Sequence, residues 1–408
     1  MIILLASISI ICPIIGIFGS IANFSKSRKP ISNALLFGVA CGWAIYGYIS
    51  DRGTDIIRHM DSLNLYRGLS IYQCFDVRDN QVYLWDFWLW VISKLGDPYL
   101  LQASAALVGY SIIAYIVFDY ANIRKFDLSS YVPMLLLALT VVSPLDITNG
   151  VRFANSVLIC TLAVYGYYVK KSSRIKTLVL FVLAVFLHHA SILVFMVWIL
   201  MPIIKKYPRE SAALTLAMLL SFTSYDQYIR LFSDGKSVLS TILADGARSA
   251  RNYHYITASF HSFFVRYLQM IFNGAILTRA WIAVKAKSSK DRVVKNSEPI
   301  WCKSIWLFSA MVFLIGLCLT ITLGTNGNRY FIASILLGLV PLMEIQTFDG
   351  FLRLKKYLII DGTIWGCAGI CVVLYLNDMN WGTGSTGSFF VSMVSGILRM
   401  KFLLYSFR

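Results

Sequence analysis

Long apolar runs, each broken by a short polar stretch, follow one another along the chain to about residue 376. A helix that crosses a bilayer needs roughly 20 apolar residues, so the pattern predicts about twelve spanning helices. Their approximate limits are 1–23, 31–49, 99–119, 129–144, 154–169, 177–187, 190–204, 210–224, 263–284, 304–324, 331–347 and 357–376. The segment 82–95, VYLWDFWLWVISKL, is too short to span and carries Asp86 and Lys94 among three tryptophans. It reads as an interfacial or re-entrant helix. The tail, 389–408, holds Arg399 and Lys401 and reads as an interfacial helix or a short further span.

Charge sets the orientation. Lysine and arginine gather in cytoplasmic loops, and six clusters mark such loops: Lys26/Arg28/Lys29, Arg124/Lys125, Lys170/Lys171/Arg174/Lys176, Lys205/Lys206/Arg209, Lys285 to Lys303, and Arg353/Lys355/Lys356. Fifteen of these 21 residues are lysine. Clusters on one side must be separated by an even number of crossings. A single helix over 177–204 would put Lys170/Lys171 and Lys205/Lys206 on opposite sides. Two short arms that turn at His188–His189 keep both inside, with the turn sunk in the membrane and covered by protein. The first apolar run has its basic cluster after it, the reverse of a cleavable signal peptide. It reads as a first span with the N-terminus outside.

Composition agrees. The 408 residues are 58% hydrophobic and 14% charged, with mean hydropathy +0.67, which excludes an ordinary soluble domain. The expectation is an all-α polytopic membrane protein, one integral membrane domain over 1–408, with longer periplasmic loops at about 50–81 and 225–262. A net charge of +17 would suggest nucleic acid in a soluble chain; here the loops account for much of it, and no nucleic acid is expected. Of eight cysteines only Cys74 falls in an outer loop, so no external disulfide is expected. No Cys/His zinc spacing is present.

On the outer side this topology places all five histidines and ten arginines. The loop 50–81 balances Arg52, Arg58, Arg67 and Arg78 against five aspartates and holds no lysine, with Asp55, Arg58 and His59 at helical spacing. The loop 225–262 mixes Arg248, Arg251, His254 and His261 with aromatics, a composition that suits sugars and phosphates or a helix lying among lipid headgroups. Short loops add Asn149-Gly-Val-Arg152, His188-His189-Ala-Ser191 and Asn328-Arg329-Tyr330. Arginine suits a diphosphate because its fork donates paired hydrogen bonds and stays charged; singly, each arginine could equally snorkel to headgroup phosphates. His188 and His189 read either as a general base or as a polar pair that caps the break and satisfies its backbone.

These segments resemble the O-antigen/exopolysaccharide polymerases (Wzy), above all the EpsG-like branch. The resemblance rests on Asp55-Ile-Ile-Arg58, Gly150-Val-Arg152-Phe-Ala154, Phe186-Leu-His188-His-Ala-Ser191 and Asn328-Arg329-Tyr330, and on their order and shared side. The family often has glutamine after the second motif's arginine, where this chain has Phe153. The resemblance implies a GT-C-like architecture. It also implies an enzyme that moves a growing glycan from undecaprenyl pyrophosphate onto a new lipid-linked repeat unit at the periplasmic face of the bacterial inner membrane. Arg152 and Arg329 would hold the leaving pyrophosphate, with Arg58, Arg248 and Arg251 as further cations. His188 or Asp55 would take the acceptor proton. His189, Asn328 and Tyr330 would help bind substrate. The expected partners are undecaprenyl-pyrophosphate-linked oligosaccharides and membrane lipids, with a chain-length regulator as a further candidate. No cofactor and no metal ion is required.

Three rivals stand beside this reading. An O-antigen ligase would use the same donor. A lipid-linked oligosaccharide flippase would place charge within the spans and often an internal repeat. A non-catalytic member of an assembly complex would tolerate loss of Arg152 and Arg329.

Overall fold

The structure, a computed structural model, describes residues 2–46, 55–77, 82–142, 146–147, 150–221, 260–290, 300–323, 327, 329–349 and 358–381. Among the described residues there is no strand. The α-helices, in chain order, are α1 (Ile2–Ile11), α2 (Pro13–Ser27), α3 (Pro30–Ile45), α4 (Asp55–Tyr66), α5 (Tyr83–Leu95), α6 (Leu100–Arg124), α7 (Leu128–Val141), α8 (Val151–Tyr168), α9 (Arg174–Leu187), α10 (Ile192–Lys206), α11 (Pro208–Ser221), α12 (Phe260–Lys290), α13 (Ile300–Leu323), α14 (Phe331–Asp349) and α15 (Leu358–Trp381). Short 3-10 turns occupy Gln73–Asp76 and His189–Ser191. Leu100–Arg124, His189–Lys206 and Cys302–Thr320 are long and apolar enough to cross a membrane; Pro30–Ile45, Leu128–Thr140, Phe331–Met343 and Ile359–Val372 are shorter apolar helices. The expected helical, membrane-crossing character is therefore present.

One expected span takes a different form. The run 1–23 is broken at Cys12, whose backbone is extended (φ −140°, ψ 91°), and α2 restarts with Pro13 in its first turn. The chain folds back there, so that Gly16 lies against Ser9 and Gly19 against Leu5. Proline lacks an N–H, clashes with the preceding turn and pushes its predecessor out of the helical region. Apolar content alone does not register this break. A second helix break lies at His188, between α9 and α10.

The helices form two compact units, residues 1–163, 178–190 and 372–408, and residues 164–177 and 191–371. In the first unit α3 and α6 are the most extensively packed pair, flanked by α1, α2 and α7. They run antiparallel in close approach: a Cβ on Gly38 would lie 2.6 Å from the Leu107 carbonyl oxygen, and one on Gly42 2.6 Å from that of Ala103. Small residues four apart let backbones meet in this way in apolar surroundings. At the lysine-rich end, the Arg28 Nη1 donates to the Phe126 carbonyl at 2.7 Å, and Arg28 and Lys125 close α2 and α6 in the left-handed conformation. Two of the basic clusters thus share one end of this unit. At the opposite end, the Tyr46 hydroxyl meets the Asp97 carboxylate, and the Trp88 indole N–H donates to Ser104 Oγ at 2.9 Å, seating α5 on α6.

In the second unit α14 packs on α12 and α13, with α10 and α11 also against α13. A buried polar clamp joins three of these helices. Ser334 Oγ donates to Asn273 Oδ1 at 3.0 Å and lies 2.8 Å from the Ser309 carbonyl. Arg279 Nε and Asp361 Oδ1 form an ion pair at 2.9 Å between α12 and α15.

Candidate active site

The segment 50–81 contains a helix, α4, that begins at Asp55 and carries an amphipathic pattern. Its inner face buries Ile56, Leu63 and Tyr66. Asp55 and Arg58, one turn apart, form an ion pair on its outer side. Helix α5, the helix expected over the tryptophan-rich segment, packs against α4 with Trp85, Leu89 and Ile92 turned inward. The two are fastened by the Tyr66 hydroxyl, which donates to Asp86 Oδ1 at 2.7 Å, both side chains buried. Outside this bond, the Trp90 indole N–H donates to the Leu69 carbonyl at 2.9 Å, and Lys94 Nζ to that of Arg67 at 2.7 Å.

Trp85 is the hub. It is fully buried, and three segments distant in sequence meet its ring or its neighbours. The Arg152 guanidinium carbon lies 5.6 Å from the Trp85 ring centroid. The His59 imidazole packs edge-on against the same indole at 4.9 Å. Next to Arg152, Phe153 packs edge-to-face on His188 at 5.0 Å, and Phe186, two residues before His188, meets Tyr83 of α5 at 5.6 Å. An arginine over an indole face is held by the ring quadrupole, worth about 0.5–2 kcal/mol. Arg152 is therefore positioned by the fold. The start of α8, the end of α9, α4 and α5 thus converge at the end of this unit opposite the Arg28–Phe126 contact.

His188 closes α9 through its backbone N–H, which donates to the Ala184 carbonyl at 2.9 Å. Its ring then takes part in the turn that follows: the Ala190 N–H donates to His188 Nδ1 at 3.1 Å. The capping role expected as an alternative for this residue is occupied. His189 begins the 3-10 turn and is half-buried.

Arg329 and Tyr330 belong to the second unit, Arg329 half-buried and Tyr330 buried. Among the described residues Gly327 precedes them. Gly327 sits so close to α13 that a Cβ there would lie 2.5 Å from Thr320 Oγ1 and 2.6 Å from the Gly316 carbonyl oxygen. Gly316 and Thr320 precede the helix end at Leu323, so Gly327 lies alongside the last two turns of α13. Arg248, Arg251 and Asn328 lie outside the described residues.

Sequence reasoning left three members of the first cluster out of its candidate set: Trp85, Asp86 and Tyr66. Asp86 did leave a signal, since a carboxylate within an apolar helix is costly unless it is paired. Burial and the nearby Asp86 and Asp76 carboxylates push the buried Cys74 thiol above its ordinary value, which keeps it a thiol. Among the described residues no group of three His, Cys, Asp or Glu side chains is arranged to hold a metal ion. Comparison with protein-family models, curated proteins and solved structures finds no match. The fold and composition define the class: a helical membrane protein.

Proposed function

We propose that this helical membrane protein is a surface-polysaccharide polymerase of the bacterial inner membrane, a glycosyltransferase that uses a polyprenyl-diphosphate donor at the periplasmic face. One observation carries the reading: Arg152, His59 and His188 gather on aromatic side chains at the end of a helical unit opposite its lysine-rich end, and the Asp55–Arg58 pair lies on the outer side of the same helix as His59. The reaction needs such a set. An acceptor hydroxyl oxygen attacks the anomeric carbon of the donor glycan. The new glycosidic C–O bond forms as the C–O bond to diphosphate breaks, and its electron pair leaves with the lipid diphosphate. The hydroxyl proton passes to a base, Asp55 or His188. Fixed cations stabilise the departing diphosphate, and a fold-held arginine costs no reorganisation when charge develops.

The test is a gel of surface polysaccharide from cells that make Arg152→Ala or Arg329→Ala protein at normal levels. A polymerase defect leaves lipid A-core capped by a single repeat unit, and a ligase defect leaves it uncapped. Long ladders in both variants would overturn the arginine assignment.

A further inference from the structure

We infer that His188 acts as a hydrogen-bond donor through Nε2, toward the donor's diphosphate or the oxygen leaving with it, and not as the general base. The inference rests on the polymerase reading for its substrate, but its core is geometric. A neutral imidazole carries one proton on one nitrogen and a lone pair on the other. The Ala190 N–H points at Nδ1 from 3.1 Å, so the lone pair is there and the proton is on Nε2. Ala190 lies within the 3-10 turn His189–Ser191 that leads into α10. The turn therefore fixes the tautomer as well as capping the break.

The consequence for chemistry is direct. To accept a proton at Nε2 the neutral ring would first have to carry its proton on Nδ1, facing the Ala190 N–H, and give up that bond. A neutral imidazole held as an Nε2–H donor serves instead as an electrophile that polarises or stabilises an oxygen. The ring is steadied by its edge-to-face contact with Phe153 at 5.0 Å, and Phe153 adjoins Arg152 in sequence. At the position where the resembled family often carries glutamine, this chain thus supplies an apolar wall for a histidine donor. Asp55 is left as the carboxylate that receives the proton.

Two measurements test this. In the full-length protein labelled with 15N-histidine, the His188 ring should show a pyridine-like Nδ1 and a protonated, pyrrole-like Nε2 near neutral pH. It is assigned by its absence from His188→Gln or, should that variant not fold, by elimination with variants of the other four histidines. A ring protonated on Nδ1, or on both nitrogens, overturns the inference. The second measurement is chain extension in isolated membranes, using the lipid-linked repeat units that accumulate in cells lacking this protein. The longer side chain of His188→Gln would place an amide N–H near the Nε2 position, whereas that of His188→Asn would retain only the acceptor for Ala190. His188→Gln should extend chains within about tenfold of the unaltered protein, and His188→Asn should lose about 10²–10³-fold, as when a transition-state donor is removed. Equal losses in two folded variants, or full activity of His188→Asn, would overturn the donor role. If Arg152→Ala and Arg329→Ala are also fully active, the polymerase reading falls while the tautomer assignment stands.

Discussion

Gly327→Ala is the sharpest test of the loop that leads to Arg329. The added methyl would sit 2.5 Å from Thr320 Oγ1 and 2.6 Å from the Gly316 carbonyl oxygen, where ordinary contact begins at 3.4 Å. The methyl would lie closer still to the Thr320 backbone nitrogen, so Gly327 must withdraw by more than about 1 Å, because the helix backbone on the other side is fixed by its own ladder. Forced overpacking of this kind costs about 1–3 kcal/mol. Gly362→Ala is the matched control. Nothing lies within 4 Å of a Cβ at that position, and in a helix interior alanine is favoured over glycine by up to about 1 kcal/mol. Thermal unfolding of purified protein in detergent should show Gly327→Ala melting earlier and Gly362→Ala melting at or above the parent. The polysaccharide gel supplies a second readout. A displacement near 1 Å at a positioning group can cost about 10²-fold in rate, so Gly327→Ala should shorten ladders even where folded protein persists. If Gly327→Ala melts with the parent and leaves ladder length unchanged, Gly327 does not lie against α13 and the argument for Arg329's placement fails.

Two further predictions concern the first unit. Tyr66→Phe removes the hydroxyl that donates to Asp86 at 2.7 Å and should cost about 1–3 kcal/mol of stability, with shortened ladders because α4 carries Asp55, Arg58 and His59; an unchanged melting temperature would show that the bond does not fasten α4 to α5. Asp127 caps α7, accepting from the Ser130 Oγ at 2.6 Å and the Ser130 N–H at 3.1 Å, and hydrogen bonds from Ser130 and Ser129 hold its carboxyl below the ordinary value of 3.8. A lowered folded value means the cap stabilises at pH above 3.8 and is lost as pH falls through the lower folded value. Asp127→Ala should therefore cost about 0.5–2 kcal/mol near neutrality and little in strong acid; a melting difference that stays constant between neutral and strongly acid pH would refute the capping account.

How much of this was legible in the sequence depends on the range of the interaction that made it. A break at His188 was expected from the basic clusters on either side, which constrain the number of crossings, and the helix does stop at this polar turn, His188-His-Ala-Ser191, within an otherwise apolar run. The fold-back at Cys12–Pro13 was not inferred, since proline is well tolerated in a helix's first turn and hydropathy does not tell a first turn from an interior one. The helix over 82–95 was legible from its length and its tryptophans. What Trp85 and Asp86 touch was not, because Arg152, His59 and Tyr66 reach them from separate segments and no local pattern encodes such meetings.

That distinction bears on how the charges should be read. Net charge in the loops treats lysine and arginine alike, and for setting topology they are alike. In the first unit their surroundings differ. Lys125 closes a helix at an end where the chain turns, while Arg152 lies over a fully buried indole. Lysine's strongly hydrated point charge has little reason to occupy that second place, whereas a planar, weakly hydrated guanidinium stacks there and still presents its outer N–H groups. A replacement that keeps charge but loses the plane separates the two uses. Arg152→Lys should retain membrane insertion and orientation yet behave like Arg152→Ala in chain extension. Recovery by lysine would reduce Arg152 to a topological charge.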